Sequence, residues 1–324
     1  MTRDNLLDAA RLTLESFRSA DAAMLRCLDV ARAACRTELP LLVLGESGTG
    51  KTLLAQAIHN SSRRASGPFV SFNAAALSDT LLDSQLFGHE KGAFTDAKHQ
   101  LRGKFEIADG GTLFIDEIAD MSPLAQAKIL RAVEYGEFER LGSERLRTAD
   151  VRLISATHHP LATFANTEQF RSDLFYRLAG LTVTLPPLRE RPNDLRELVA
   201  VSIRRAAQGQ GRSISGLSQN AADALFSYHW PGNLRELDLV IHAAVAMTEG
   251  TVIEEFAILI RNGDRPGTLP PALRPPVSAD LRLRTVEREH IRRVLRELAG
   301  NKTKTAQALG ISRSRLERKL ADAK

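Results

Sequence analysis

The sequence predicts a parallel α/β sheet with helices on both faces, then a smaller α-helical subdomain, then a C-terminal all-α domain. Short apolar runs alternate with helical patterns over the first 190 residues, whereas residues 191 to about 260 carry helical spacing alone. A proline-rich segment then precedes a strongly basic C-terminus. At about 150 residues per domain, 324 residues give two or three domains. A composition of 43% hydrophobic and 26% charged residues excludes a disordered or collagen-like chain.

The first 17 residues space Leu6, Leu7, Ala10, Leu14 and Phe17 as an amphipathic helix does, and not as a secretory segment does. Residues 1–16 are accordingly read as a short helical extension. The longest apolar run, Leu39 to Leu44, contains Pro40 and falls far short of the roughly 20 residues that span a bilayer. The expectation is a cytoplasmic protein with no membrane partner. Cys27 and Cys35, if helical, lie about 12 Å apart along the axis, too far for a disulfide. With no Cys/His cluster there is no zinc signal.

The run Leu41 to Leu44 leads into Gly45-Glu46-Ser47-Gly48-Thr49-Gly50-Lys51-Thr52, which fits the phosphate-loop pattern at every fixed position and opens a helical segment. Glycines there let backbone N–H groups turn inward around phosphates, the helix directs its positive end at them, Lys51 reaches the terminal phosphates and Thr52 can ligate Mg²⁺. A second apolar run, from Thr112, ends in Asp116-Glu117. A strand delivering adjacent carboxylates to its C-terminal end can place Asp116 on Mg²⁺ and Glu117 beside the attacking water as general base. Together the two motifs specify hydrolysis of a nucleoside triphosphate such as ATP. The transition state also needs positive charge on the γ-phosphate, for which Arg171, Arg177 and Arg235 are candidates. Two further strands are expected at VRLISAT, 151–157, and LTVTLPPL, 181–188. Helical apolar spacing dominates 191–260. Five of the chain's 13 prolines fall in 261–279, a linker through which neither helix nor central strand can run.

The charge divides at that linker. Residues 281–324 hold 13 Lys/Arg against 5 Asp/Glu, a balance of +8 out of the total of +5, so everything before carries 31 against 34, or −3. Such an asymmetry points to nucleic acid at the C-terminus. Residues 285–298 place Ile291, Val294, Leu295 and Leu298 on one helical face, and Thr303 to Leu309 forms a second helix. Gly310-Ile311 is the turn, and Ser312 caps a third helix carrying Arg313, Arg315, Leu316, Arg318, Lys319 and Leu320. Ala306 and Gly310 are small where two helices would cross. This is a helix-turn-helix pattern whose last helix enters the major groove, with Lys302, Thr303, Ser312, Arg313, Arg315, Arg318 and Lys319 as the DNA-contacting set.

The segments GESGTGKT (45–52), FNAAAL (72–77), LFGHEKGAFTDA (86–97), GGTLFIDEI (110–118), EFERLGS (137–143), FRSDLFYRL (170–178), LPPLRERPND (185–194) and WPGNLREL (230–237) resemble, in order and spacing, the central domain of bacterial enhancer-binding proteins. These are the AAA+ ATPases that activate sigma-54 RNA polymerase. The resemblance implies an AAA+ core over 17–190 and a lid over 191–260. AGNKTKTAQALGISRSRLERKL (299–320) resembles the Fis-type helix-turn-helix of the same proteins, which fits a DNA-binding domain over 280–324.

By resemblance, Asn73 is the switch residue that restrains Glu117, Arg171 and Arg177 are fingers reaching into a neighbouring subunit's site, and Arg235 is the lid's sensor arginine. Active sites shared between subunits imply a ring, typically hexameric. The loop Gly92-Ala93-Phe94-Thr95-Asp96-Ala97 corresponds to the sigma-54 contact, with Asp96 in place of a glycine. His158 follows Ala-Thr, where the family usually carries an asparagine that senses nucleotide. The implied activity is remodelling of the sigma-54 polymerase complex from enhancer DNA. The alternative is an ATP-binding DNA regulator uncoupled from sigma-54 through Asp96. The match begins near Phe17, so control is expected from a separate regulatory protein or a paired activator.

Overall fold

The computed structural model describes residues 12–75, 78–95, 97–161, 163, 169–258, 302–308, 311 and 316. They fall into two compact units, one ending at Ile260 and the other beginning at Arg261. Core and lid thus belong to one unit.

Five parallel strands form the sheet of the first unit: β1 (Leu41–Leu44), β2 (Phe69–Asn73), β3 (Thr112–Asp116), β4 (Arg152–Thr157) and β5 (Leu181–Thr184). Their order across the sheet is β2-β3-β4-β1-β5. Strand β4 is buried at all six positions, as a central parallel strand covered on both faces must be. The sequence reading found four of the five; β2 escaped it.

Alternation along each strand divides the core into two layers. Leu42, Leu113, Ile115 and Leu153 face the helices α3 (Asp79–Phe87), α4 (Pro123–Tyr135) and α5 (Ser172–Leu178), meeting Leu82, Leu86, Ile129, Leu174 and Leu178. Leu41, Val43, Phe114, Ile154 and Ala156 face the opposite way, onto Met24 and Leu28 of α1 (Ala22–Ala34) and Leu54 and Ile58 of α2 (Lys51–Asn60). Local chemistry sets the helix ends. Ser122 caps α4 by accepting from Ala125 N–H, Pro123 opens it, and Gly136 closes it at φ 69°.

The expected N-terminal helix is corrected over its described part. Leu14–Ser16 is a single 3₁₀ turn, Phe17 is extended, and the Thr13 and Ser16 side chains cap each other's backbone; residues 1–11 lie outside the described residues. Cys27 and Cys35 are free thiols, and burial pushes the Cys27 thiol up to about 11.

The lid packs α6 (Pro192–Gly209), α7 (Gln219–Ser227) and α8 (Asn233–Met247) around Trp230, Leu225, Leu237 and Ile241. A two-residue parallel pairing of Gly216–Leu217 with Val252–Ile253, which the sequence did not suggest, joins the segment before α7 to the segment after α8. Asp194 joins the lid to the segment before α1, accepting from Ser19 Oγ at 2.8 Å, Ala20 N–H at 2.9 Å and Arg191 at 2.9 Å. Asp21 returns the exchange by accepting from the Asp194 N–H at 2.9 Å.

In the second unit, α9 (Lys302–Ala308) exposes Lys302 and Thr303 and buries Thr305 and Ala306. Ala306 packs with Leu316 and Ile311, as the helix-turn-helix pattern expects. Ser312, Arg313, Arg315, Arg318, Lys319, Gly310 and the 261–279 linker lie outside the described residues. No helix among the described residues is long and apolar enough to cross a membrane.

Ile154 sits fully buried in the central strand. Ile154→Ala is expected to cost about 2–5 kcal/mol and Ile154→Val about 0.5–1.5 kcal/mol, read as a graded fall in the urea midpoint.

Candidate nucleotide site

The phosphate loop leaves β1 and enters α2 by positive-φ turns at Gly45 (155°), Gly48 (79°) and Gly50 (99°). Gly48 allows no side chain, because a Cβ there would lie 2.3 Å from the Gly232 carbonyl oxygen. The lid reaches the loop at this point. Leu234 N–H donates to Gly48 O at 3.0 Å, and the buried Asn233 donates its amide to Ser47 O at 3.0 Å while accepting from Leu188 N–H at 2.7 Å. Arg235 donates to Ser47 Oγ at 3.1 Å.

A cavity of about 510 Å³ opens between loop and lid. Its polar lining holds Ser47 to Thr52, Asp116, Glu117 and Arg235. Phe17, Met24, Leu198, Val201 and Leu237 add an apolar part to the lining, together with Arg18, Arg191, Ser202, Arg205 and Asp238. Sequence reasoning missed this apolar part. Apolar residues at helical spacing carry the same signature whether they line a pocket or fill a core.

Lys51 is buried and donates from Nζ to Gly45 O at 2.9 Å and Glu46 O at 3.3 Å. A single strand carries both carboxylates up beside it, Asp116 at the end of β3 and Glu117 just beyond, at φ 54°. Burial and the neighbouring Glu117 charge raise the Asp116 carboxyl, more than Lys51 lowers it. Burial also pushes Glu117 up, but the hydrogen bond from His158 and the charge of Lys51 outweigh it and hold Glu117 below the usual carboxylate range. A divalent cation would suit this corner, because two adjacent carboxylates in a half-buried place lack one compensating charge. Thr52, in the first turn of α2, and Asp116 both line the cavity and are the residues that would hold Mg²⁺.

Several predicted site residues take other partners. Gly45 and Glu46 do not line the cavity; Gly45 serves through its carbonyl, and the Glu46 carboxylate turns away to a two-pronged pair with Arg189 at 2.6 and 2.8 Å. An anion is better placed beside a guanidinium than facing phosphates. Asn73, aligned with Asp116 in the β2–β3 register, accepts from Ala75 N–H at 2.8 Å through Oδ1. The Glu117 carboxylate is bonded instead to His158, whose Nδ1 lies 2.7 Å from Oε2. Arg171 and Arg177 lie outside the cavity and are exposed on and beside α5, Arg171 paired with Asp173 at 2.7 Å and Arg177 touching the carbonyl ends of α4.

The predicted contact loop projects from the Gly88–His89 and Leu101–Arg102 pairing. It turns tightly, with Gly92 N–H donating to Ala97 O at 2.8 Å and Ala97 N–H to Phe94 O at 2.9 Å. Phe94 is half-buried, edge-on to His89, Ala93 is half-buried and Thr95 exposed. Asp96 lies outside the described residues. Buried Arg140 braces the base through Glu106 at 2.6 Å and Glu90 at 3.0 Å.

Comparison with known proteins matches residues 17–184 to the sigma-54 interaction domain, 189–259 to an AAA+ ATPase lid domain, and 282–322 to the Fis family of bacterial regulatory proteins. The chain is 42% identical to the Nif-specific regulatory protein of Klebsiella pneumoniae over 299 residues, covering 92% of this chain and 57% of that one. It is equally similar to the transcriptional regulatory protein ZraR of Escherichia coli K12, covering 92% and 67%. Among solved structures, NtrX from Brucella abortus superposes with a TM-score of 0.72 at 32% identity, over 98% of this chain and 70% of that one. The same protein has been solved in complex with ATP. The chain thus spans little more than half the length of the Nif regulator.

Gly48→Ala is expected to strain the loop and force Gly232 away. Isothermal titration with ATP and Mg²⁺ should show binding reduced at least about tenfold, with the far-ultraviolet spectrum retained.

Proposed function

The chain belongs to the sigma-54 interaction domain family, and on that premise we propose that it is a cytoplasmic sigma-54-dependent transcriptional activator that hydrolyses ATP in a ring while bound to enhancer DNA. The observation that carries this reading is the convergence of Lys51, Asp116 and Glu117 in one cavity that apolar side chains such as Phe17, Leu198 and Val201 also line. That arrangement suits a nucleotide, with phosphates at the loop and a flat base among Phe17, Leu198 and Val201.

In this reading the loop N–H groups and the start of α2 bind the phosphates, and Lys51 exchanges its carbonyl partners for phosphate oxygens. Thr52 and Asp116 would hold Mg²⁺, which would supply charge that neutralises the phosphates. Glu117 accepts the proton of the attacking water, which its low pKa permits because the carboxylate is ionised at neutral pH. Arg235 approaches from the lid, and Arg171 or Arg177 from a neighbouring subunit completes the charge around the γ-phosphate. A homo-oligomer, hexameric in its active state, follows from that sharing. Phe94 and Thr95, with Gly92, Ala93, Asp96 and Ala97, form the surface for sigma-54, while the basic C-terminal unit holds duplex DNA.

Arg171→Ala is expected to bind ATP with wild-type affinity yet turn it over about 10³-fold more slowly, the scale of an arginine finger. Unchanged turnover in the purified variant would overturn the finger assignment. Affinity for duplex DNA should fall steeply between about 50 and 200 mM salt, because phosphate contacts release counterions; a flat salt profile in a gel-shift titration would remove the proposed DNA contact.

A further inference from the structure

Glu46 stands on the phosphate loop without lining the cavity, and its carboxylate gathers two other parts of the chain. Arg189 donates to Oε1 at 2.6 Å and to Oε2 at 2.8 Å, and the Asn233 amide donates to Oε2 at 3.2 Å. Arg189 lies in the 3₁₀ turn Leu188–Glu190, by which the chain passes from β5 of the core to α6 of the lid. Asn233 closes the circuit, because its Oδ1 accepts from Leu188 N–H at 2.7 Å. Phosphate loop, connecting turn and lid are thus joined in one ring of hydrogen bonds, with the fully buried Asn233 as its fixed corner.

The backbone of Glu46 is tied to the phosphate end of the site. Its carbonyl accepts from Lys51 Nζ at 3.3 Å and from Thr49 Oγ1 at 2.8 Å. When Lys51 turns to phosphates, that carbonyl loses a donor, so a change at the nucleotide reaches Glu46 directly and Arg189 through it. The Arg189 and Glu46 side chains are 40% and 43% exposed, and an ion pair in contact with water adds little to folding stability. A two-pronged guanidinium nevertheless fixes orientation as well as distance. The Arg189 hydrogen bonds hold the Glu46 carboxyl below the usual carboxylate range, so the pair stays charged at neutral pH. Its place in the chain therefore suits it to hold a geometry more than to hold the fold.

We infer that the Glu46–Arg189 pair is a strut that fixes the turn between core and lid against the phosphate loop, making Arg189 a positioning residue that slows the departure of bound nucleotide. This rests on the nucleotide reading above and concerns release, not the chemical step. Neither side chain meets the nucleotide; both act through the loop and through Asn233, whose amide also holds Ser47 O at 3.0 Å. With the pair broken, the turn is no longer held to the loop by charge, and the lid can leave the site without first separating two ions.

The test follows, by stopped flow, the binding and release of ADP carrying a fluorescent N-methylanthraniloyl group, together with the melting temperature of each full-length chain. Wild type is compared with Lys51→Ala, Glu46→Gln, Arg189→Gln and the double variant Glu46→Gln/Arg189→Gln. The labelled ADP is expected to leave each single variant about 5- to 20-fold faster than wild type, with the association rate within about twofold. The double variant should release within about twofold of the faster single one, because the second substitution removes a contact already lost. Melting temperatures should stay within about 3 °C of wild type, as for an exposed pair. The inference is overturned if release from either single variant quickens less than fivefold, if the two effects multiply in the double variant, or if affinity is lost through slower association. Faster release accompanied by a larger fall in melting temperature assigns the pair to the fold and overturns it too. A wild-type chain that binds no labelled ADP, or a Lys51→Ala variant that binds it normally, overturns the nucleotide reading and this inference with it. A wild-type chain that binds, with Lys51→Ala inert and Glu46→Gln and Arg189→Gln releasing at the wild-type rate, overturns the inference alone.

Discussion

The carbonyl of Gly232 lies where any side chain on Gly48 would have to go, and the lid and the phosphate loop are locked to one another around that backbone contact. Three consecutive lid residues follow it onto the loop: Asn233 onto Ser47, Leu234 onto Gly48 and Arg235 onto Ser47 again. Such a seam transmits displacement, because close-packed backbone has no slack to absorb it. A phosphate loop that shifts on nucleotide therefore carries the start of α8 with it. The Asp194 and Asp21 exchange holds the start of α6, so the lid is attached to the core at two places.

Lys51 faces both carboxylates and Arg235 acts on Asp116 as well, yet the consequence is opposite for each: Asp116 is raised and Glu117 lowered. Burial and the like charge next door govern Asp116, while the His158 bond governs Glu117. Two neighbours in sequence are thereby given different chemical characters, one ready for a cation and the other kept ionised. The bend that separates them is the left-handed φ of 54° at Glu117, a conformation that a non-glycine residue adopts at some cost.

Much of this was readable from sequence, and the rest has physical reasons for being hidden. The strands β1, β3 and β4 announce themselves because burial on both faces makes them continuously apolar. Strand β2 lies at the sheet edge, with Ser71 and Asn73 exposed and only Phe72 buried, so no apolar run marks it. The phosphate loop and the Asp116-Glu117 pair are local signals, complete within a few residues. The partners of those residues are not. His158 meets Glu117 across 41 residues because β3 and β4 are neighbours, and Arg189 meets Glu46 across 143. Spacing in sequence carries no trace of either contact. The apolar wall of the cavity was hidden for another reason, since Phe17, Leu198 and Val201 each look like ordinary core.

Trp230 is the only tryptophan in the chain, fully buried in the lid two residues before Gly232. Its indole donates to Leu225 O at 3.0 Å and stands edge-on to Tyr228, with centroids 5.1 Å apart. The protein therefore contains its own optical label at the seam between lid and loop. Emission excited in the indole band comes from that single junction, so its wavelength and lifetime report, without added dye or substitution, whether the lid has moved.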